Sequence, residues 1–71
     1  MSQQVLPGRY RHFKGGLYEV LGVARHSETE EELVVYRPLE KDAGWWVRPV
    51  SMFLETVEVN GKPKPRFQII D

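Results

Sequence analysis

The stretch from residue 14 to residue 39 constrains the fold more than any other part of the chain. It contains two apolar, β-branched runs, at 17–26 and 33–39, joined by an acidic connection rich in hydroxyl side chains. Alternation of apolar and polar residues with a period of two is typical of strands, and Pro38 ends the second run because proline cannot donate a ladder hydrogen bond. The sequence therefore predicts a long β-hairpin.

A change of phase inside the first run predicts a local irregularity. The apolar residues Tyr18 and Val20 occupy even positions, whereas Leu21 and Val23 occupy odd positions. Gly22 lies where this alternation changes. A glycine at such a position is typical of a β-bulge, or of a strand that bends to serve two sheets. Strands of small barrels bend in this way.

The rest of the chain is divided into short segments by glycine and proline. About five short strands, tight turns and no long amphipathic helix predict an all-β fold, a small SH3-like barrel with one short 3₁₀ turn. An OB-like barrel is the alternative, but it would need a longer chain. At most one helical turn is expected within 29–36. Beyond the hairpin, the predicted strands are 9–13, 45–50, 54–59 and 66–70, the 3₁₀ turn is 51–53, and glycine turns fall at 15–16 and 60–61.

The length of the chain and its lack of cysteine limit the kind of protein it can form. With 71 residues we expect one domain, residues 1–71, in which residues 1–7 are frayed. The absence of cysteine excludes a disulfide framework and a thiolate metal site. No apolar run reaches the roughly 18 residues of a membrane span, and no signal peptide is evident. We therefore predict a cytoplasmic protein, a monomer or weak dimer, without a membrane partner.

The charges balance in number but not in position. Ten basic and ten acidic residues give a net charge of zero, which argues against generic binding to nucleic acid. Six cations nevertheless cluster in the segments 9–14 and 62–66, where Tyr10, Phe13 and Phe67 are aromatic neighbours. Solvated surface charge explains this pattern most simply. Single-stranded nucleic acid stays open as a partner.

The connection between the two runs of the hairpin collects chemically active side chains. Neighbouring residues on an extended chain point to opposite sides, so His26 and Ser27 are not placed as base and nucleophile of a catalytic triad. In a structural role, Ser27 and Thr29 would satisfy backbone donors while His26 closes the hairpin. In a binding role, Arg25 and His26 would donate hydrogen bonds to a ligand and Glu28 would accept one.

A third role for the same connection is catalytic. His26 and Glu28 share a parity, and with His12 from a neighbouring strand they could supply three metal ligands. This set would define a metal-dependent enzyme.

A second cluster lies in the segment 45–48. Two successive residues of a strand face opposite sides, so we expect either Trp45 or Trp46 in the core and the other on the surface. Trp46 shares its parity with Arg48, and the pair would form a flat, cation-flanked platform for stacking. Tyr36 is expected to border the same area. The simpler alternative is that Trp46 covers one end of the barrel and Arg48 lies along it.

Three long segments resemble a family of small bacterial proteins grouped as domain of unknown function 1653. The segments are GRYRHFKGGLYEVLGVARHSETEEELVVYRPL, WWVRPVSMFLETV and NGKPKPRFQ. The resemblance implies an SH3-like barrel and no particular activity, cofactor or partner, so no catalytic residue is carried over. Relatives often have tyrosine where this chain has Glu40. The positions that the family pattern emphasises are Tyr10, Arg11, His12, Lys14, Gly15, 25–29, Tyr36 and 46–49.

Together these observations predict a binding module without a cofactor. Its ligand would be a small anionic or aromatic molecule, a nucleotide-like group or a peptide. A structural or adaptor domain for a protein partner is the alternative, and a metal-dependent enzyme ranks third. The predicted binding residues are Arg25, His26, Ser27, Glu28, Thr29, Tyr36, Trp46 and Arg48.

Overall fold

The computed structural model describes residues 5–40, 42 and 44–70, which form seven strands and one short helix. The described strands form two antiparallel sheets, one of five strands in the order β4-β3-β2-β1-β7 and one of β5 and β6. The prediction of a small all-β fold is confirmed. The elements are β1 (Gly8–His12), β2 (Leu17–Arg25), β3 (Glu32–Pro38), β4 (Trp46–Pro49), α1 (Val50–Phe53), β5 (Thr56–Val59), β6 (Lys62–Pro65) and β7 (Phe67–Ile69).

The five-stranded sheet is strongly curled, although the described strands do not close into a barrel. Its edge strands β4 and β7 are four spacings apart in the sheet order, which would be about 19 Å in a flat sheet. The guanidinium carbon of Arg48 on β4 nevertheless lies 5.9 Å from the ring centre of Phe67 on β7. The two edges therefore curve toward each other over one face, which we call the inner face.

The predicted bulge occurs in β2 and contributes to this curvature. Val20 pairs with Tyr36, and the next pair joins Gly22 to Val35, so Leu21 is the additional residue. Bulges increase the local twist of a strand and bend it. The change of phase in the sequence thus marks the irregularity correctly.

Two glycine-containing turns also lie where the sequence places them. Gly15 has a φ of 104°, and the turn around it is closed by the His12 N–H, which donates to the Gly16 carbonyl at 2.7 Å. Asn60 and Gly61 have φ values of 55° and 78° and connect β5 to β6. Positive φ at both central residues is typical of the hairpin turns that Asn-Gly favours.

The helical content is close to the prediction. The single turn after Pro49 is α-helical and spans Val50–Phe53, where a 3₁₀ turn was expected at 51–53. No helix forms over residues 29–36, because β3 already begins at Glu32. In the part of the chain that the structure describes, no helix is both long and apolar enough to cross a membrane.

Strand β6 is not among the predicted elements. Its sequence, Lys62–Pro65, alternates lysine with proline, and all of it is exposed. Proline disfavours a strand assignment because it lacks the N–H that a ladder requires, but an edge strand tolerates it. Among the described strands, β6 pairs only with β5, so it is an edge strand.

The core is built largely from aromatic rings and valines. Residues 1–7 were predicted to be frayed; residues 1–4 lie outside the described residues, and Val5 is buried in the core. The Leu6 carbonyl accepts a hydrogen bond of 2.7 Å from the Tyr10 hydroxyl. The buried apolar residues are Val5, Tyr10, Val20, Val34, Tyr36, Val50, Phe53 and Phe67.

At the centre of the core, Phe53 from α1 stacks on Phe67 from β7. Their ring centres are 4.2 Å apart and their planes differ by 5°. Tyr10 and Tyr36 contact Phe53 edge-on at 5.4 and 5.9 Å. Aromatic pairs add about 0.5–1.5 kcal/mol beyond the area they bury, so this group makes a large contribution for so small a domain.

We expect Phe53→Ala to lower the free energy of unfolding by about 3–5 kcal/mol, as is typical for truncating a buried phenylalanine. A domain of this size is stabilised by only about 3–5 kcal/mol, so the variant would be largely unfolded at 25 °C. Urea denaturation followed by tryptophan fluorescence measures the change. Met52→Ala, in the same helical turn but exposed, is the control and should cost less than about 1 kcal/mol. Equal effects of the two substitutions would contradict the central role of Phe53.

Candidate binding site

The inner face of the curled sheet collects aromatic side chains from every one of its five strands. Residues that pair across antiparallel strands project from the same face. Tyr10 pairs with Tyr18, His12 with Phe67, and Tyr36 with Trp46. The period of two within each strand then places all six rings on one side of the sheet.

These rings differ in exposure, which divides the inner face into a floor and a rim. Tyr36 and Phe67 are buried and form the floor. The rim is partly open to solvent and includes one cation among three rings. We call this rim the aromatic–arginine site; its members are His12, Tyr18, Trp46 and Arg48.

Arg48 is held in place by the floor beneath it. Its Nε donates a hydrogen bond of 3.4 Å to the Tyr36 hydroxyl, and its guanidinium carbon lies 5.9 Å from the Phe67 ring centre. A cation near an aromatic face is stabilised by the negative potential of the ring. Among the described residues, Arg48 has no carboxylate partner. Its terminal nitrogens therefore remain available to an anion.

Trp46 forms the open wall of the site. Its side chain is 38% exposed, and its ring centre lies 6.2 Å from Tyr18 and 6.0 Å from Tyr36. The two tyrosines pack against the indole, and the remainder of its surface is in contact with solvent. A flat ligand can stack on such a surface without displacing a core residue.

His12 is half-buried against the floor of the site. Its ring lies 4.9 Å from Phe67, and its Nδ1 accepts a hydrogen bond of 3.1 Å from the Lys14 backbone N–H. Burial lowers the pKa of His12, and the positive charges of Arg66, Lys14 and Arg48 lower it further. Three cations therefore act on one side chain at this end of the sheet.

One of these cations, Arg66, is already partly neutralised. Its Nη2 donates a hydrogen bond of 3.2 Å to the Glu55 carboxylate. Its Nε is buried and has no hydrogen-bond partner among the described residues. Arg66 thus raises the positive potential around His12 but is less free than Arg48 to bind a ligand.

The predicted binding residues fall into two groups that the structure separates. Tyr36, Trp46 and Arg48 come together as expected. Trp46 pairs with Tyr36, four residues along β3 from Glu32, which is about 13 Å at about 3.3 Å per residue. Arg48 pairs with Val34, two residues from Glu32, which is about 7 Å. The predicted turn residues 25–29 lie at or beyond that end of the hairpin, so they are nearer to Arg48 than to Trp46.

Two predicted roles within the strands also change. Tyr36 was expected to stack on a ligand, but only 3% of it is exposed, so it supports Arg48 instead. One of the two tryptophans was expected in the core, and this is wrong because Trp45 is 70% and Trp46 38% exposed. Trp45 precedes β4 and lines a shallow apolar cavity on the other face with Leu21 and Val35.

The hairpin turn has the hydrogen bonding of the structural interpretation. The His26 Nδ1 accepts from the backbone N–H groups of Glu28 and Thr29 at 3.1 and 3.3 Å. The Thr29 hydroxyl accepts from the Glu31 N–H at 3.2 Å. Arg25 lies 3.9 Å from Glu30, but both side chains are mostly exposed, so this pair contributes little.

The metal ligands suggested by the sequence are not brought together. His12 lies beside the start of β2, since its N–H donates to the Gly16 carbonyl, whereas His26 follows the end of β2. A strand of 9 residues is about 30 Å long at about 3.3 Å per residue. In residues 5–40, 42 and 44–70, no three His, Asp or Glu side chains are grouped to hold a metal ion.

Sequence reasoning missed the roles of Tyr18 and Phe67 and placed His12 in a different site. The available signal was the period of two in β1, which gives Tyr10 and His12 the same face. The pairing of β1 with β7 then completes the group by adding Phe67. The same pairing places the segment 9–13 beside residues 66–69. Tyr10 and Phe67 are buried, so Phe13 is the aromatic neighbour of these segments that is left exposed.

The fold and the inner face define a small all-β domain with an aromatic and cationic surface on its main sheet. The model of a family described as "Protein of unknown function (DUF1653)" matches residues 8–69, and the chain belongs to this family. It is similar to a crystal structure of a DUF1653 protein from Bordetella bronchiseptica, with 42% sequence identity and a TM-score of 0.87. The match covers 99% of this chain and 92% of that chain. A comparison with curated proteins gave no match.

We expect His26→Ala to lower the free energy of unfolding by about 1 kcal/mol, because two backbone donors lose their acceptor. His26→Asn should retain most of the stability, since an asparagine oxygen accepts from the same backbone groups in a turn. Ser27→Ala is the control and should change stability by less than about 0.5 kcal/mol. Chemical denaturation measures all three. A stable His26→Ala protein would show that the turn does not depend on this side chain.

We expect the free energy of unfolding to decrease as the pH falls below 6.5, the ordinary pKa of histidine, through titration of His12. Because the pKa of His12 is lowered in the folded state, the unfolded chain takes up the proton first. The contribution of His12 to the free energy of unfolding is complete above pH 6.5. It is lost as the pH falls toward the pKa of His12 in the folded state. His12→Asn should remove this part of the pH dependence. An NMR titration of the His12 ring in the His26→Asn protein gives the pKa directly, and a midpoint above 6.5 would contradict the prediction.

Proposed function

We propose that the domain is a non-catalytic binding module for a small ligand that joins an anionic group to a flat aromatic ring, as a nucleotide does. The observation that carries the proposal is that Arg48 and the partly exposed Trp46 lie two residues apart on the same face of β4. Arg48 would bind the anionic group, and Trp46 would stack on the ring. The ligand would therefore span the aromatic–arginine site.

The support for Arg48 as the anion-binding group is its geometry. Tyr36 and Phe67 hold the guanidinium from below, which reduces the side-chain entropy that binding must overcome. Arginine donates several hydrogen bonds in a fixed plane and matches phosphate and carboxylate groups. Hydrogen bonds to a charged group are worth about 1.5–3 kcal/mol each.

The support for Trp46 as the stacking surface is its partial exposure combined with firm backing. Tyr18 and Tyr36 contact it on one side, so the indole does not need to be ordered by the ligand. Stacking of a base on an aromatic side chain contributes about 1–3 kcal/mol. The two contacts together contribute about 2.5–6 kcal/mol, which corresponds to binding of a small molecule in the millimolar range.

We infer binding rather than catalysis because the site lies on a small core. About 3–5 kcal/mol of stability leaves little to maintain strained or strongly desolvated reactive groups. The rim side chains are partly exposed, and His12 already uses its Nδ1 to accept the Lys14 N–H. These features fit recognition of a ligand better than chemical transformation of it.

The second candidate function is that of an adaptor for a protein partner, and the outer face of the main sheet favours it. Leu21, Trp45 and Val47 are exposed, and they lie beside Val35 on the face of the sheet opposite to the aromatic–arginine site. Exposed apolar side chains that lie together are a surface on which a protein partner packs. Under this alternative, nucleotides would not bind to the inner face.

We expect adenosine monophosphate to bind the isotope-labelled domain with saturating amide shifts around Trp46 and Arg48. Adenosine and inorganic phosphate should each bind more weakly, because each makes one of the two contacts. Trp46→Ala and Arg48→Gln should each weaken binding at least about fivefold, from the loss of stacking or of charged hydrogen bonds.

The matched controls for this titration lie on the opposite face. Trp45→Ala removes the neighbouring tryptophan, and Arg37→Gln removes an arginine that pairs with Glu19. Both should leave the affinity within about twofold, as expected for surface sites that do not contact the ligand. Absence of shifts at millimolar nucleotide, or equal losses in Trp45→Ala and Trp46→Ala, would reject the proposed site.

A further inference from the structure

A second cavity, of about 300 Å³, lies where β1, β6 and β7 meet. Arg11 on β1 pairs with Gln68 on β7, so both side chains project from the face opposite to Tyr10 and Phe67. Lys64 reaches the cavity from β6 of the other sheet. The polar part of its lining is thus assembled from three strands, on the outer side of the main sheet.

Among the described residues, the lining of the cavity contains two cations, Arg11 and Lys64, and no acidic residue. Arg25, Arg37 and Arg66 each pair with a glutamate, at Glu30, Glu19 and Glu55. In contrast, within the described ranges neither Arg11 nor Lys64 forms an ion pair. Two cations that face one cavity without a counter-ion repel each other, and an anion between them would relieve that repulsion.

The backbone holds Lys64 in a defined position. It lies between Pro63 and Pro65 in a strand that pairs with β5, where Lys64 is opposite Val57. The proline rings fix φ on both sides and restrict the chain before any ligand arrives. A preorganised cation loses less entropy on binding than one on a flexible loop.

The remaining walls of the cavity are mainly apolar and consist of Phe13, Pro65 and Ile70. The polar residues His12 and Gln68 and the backbone of Gly15 complete the lining. A volume of about 300 Å³ is at the lower end of the range for small-molecule sites. This combination suits a compact organic molecule with an oxyanion at one end.

We propose that this cavity binds a small organic oxyanion, a phosphate ester or a carboxylate attached to a compact apolar group. Arg11 and Lys64 bind the oxyanion from two sides, and Gln68 donates an additional hydrogen bond from its amide. Phe13 and Ile70 contact the apolar group. The cavity shares His12 with the aromatic–arginine site, but Arg48 and Trp46 do not line it, so substitutions of those two residues test the two sites separately.

The experiment titrates the labelled domain with phenyl phosphate, benzoate and inorganic phosphate at about 0.15 M ionic strength, where unspecific surface attraction is largely screened. We expect saturating shifts at Arg11, Gln68 and Lys64 with phenyl phosphate or benzoate, and the stronger of the two identifies the oxyanion. Inorganic phosphate should bind more weakly because it lacks the apolar group.

Arg11→Gln and Lys64→Gln should each weaken the binding about tenfold, the effect of one charged hydrogen bond. Lys62→Gln is the matched control, because it lies on the same strand and parity but outside the cavity. It should leave the affinity within a factor of about two. Equal weakening by Lys62→Gln, or no saturating shift with either organic anion at millimolar concentration, would overturn the proposal.

Discussion

The stack of Phe53 on Phe67 is the contact on which the rest of the structure depends. Phe53 belongs to the helical turn that follows β4 at one edge of the main sheet, and Phe67 belongs to β7 at the other edge. A ring separation of 4.2 Å requires these edges to curve toward each other. Without cysteine to join the two ends, aromatic packing replaces a covalent link, because aromatic rings bury the largest area per residue.

The same packing determines where a ligand could bind. Phe67 supports His12 at 4.9 Å and Arg48 at 5.9 Å, so the floor of the aromatic–arginine site is also the centre of the core. The functional groups of the rim are therefore positioned by strands rather than by a loop. Rigid placement favours recognition of a fixed shape. It also means that substitutions in the floor would affect stability and binding together, whereas Trp46 can be changed with less effect on folding.

The local features of the fold could be predicted from the sequence, because each has a local physical cause. Gly22 marks the bulge where the apolar parity changes, and Asn60 with Gly61 marks a hairpin turn. Strand β6 could not be predicted, since proline is acceptable there only because the strand lies at an edge. The burial of Val5 was missed for a similar reason, as it depends on tertiary contacts.

The candidate site was predicted only in part. The sequence pattern indicates on which face of the sheet a side chain lies, but not where along the sheet it lies. A period of two shows which face a side chain occupies, so Trp46 and Arg48 were placed together correctly. The period does not show how far apart two residues lie along a sheet, and so His26 was predicted to bind the same ligand as Trp46. The hydrogen bonds of the His26 side chain instead stabilise the turn. Long-range register, which brings His12 to Phe67, is absent from any local pattern.

The neutral total charge is a poor guide to the electrostatics of this domain. Lys14, Arg48 and Arg66 all act on His12, whereas the consecutive glutamates 30–32 lie at the far end of the hairpin. Glu32 lies two residues from Val34, the partner of Arg48, which is about 7 Å along β3 and within the Debye length of about 8 Å at physiological ionic strength. The other cations around His12 lie at the opposite end of the inner face, beside the start of β2. The local charge around His12 is therefore positive, although the chain as a whole carries no net charge.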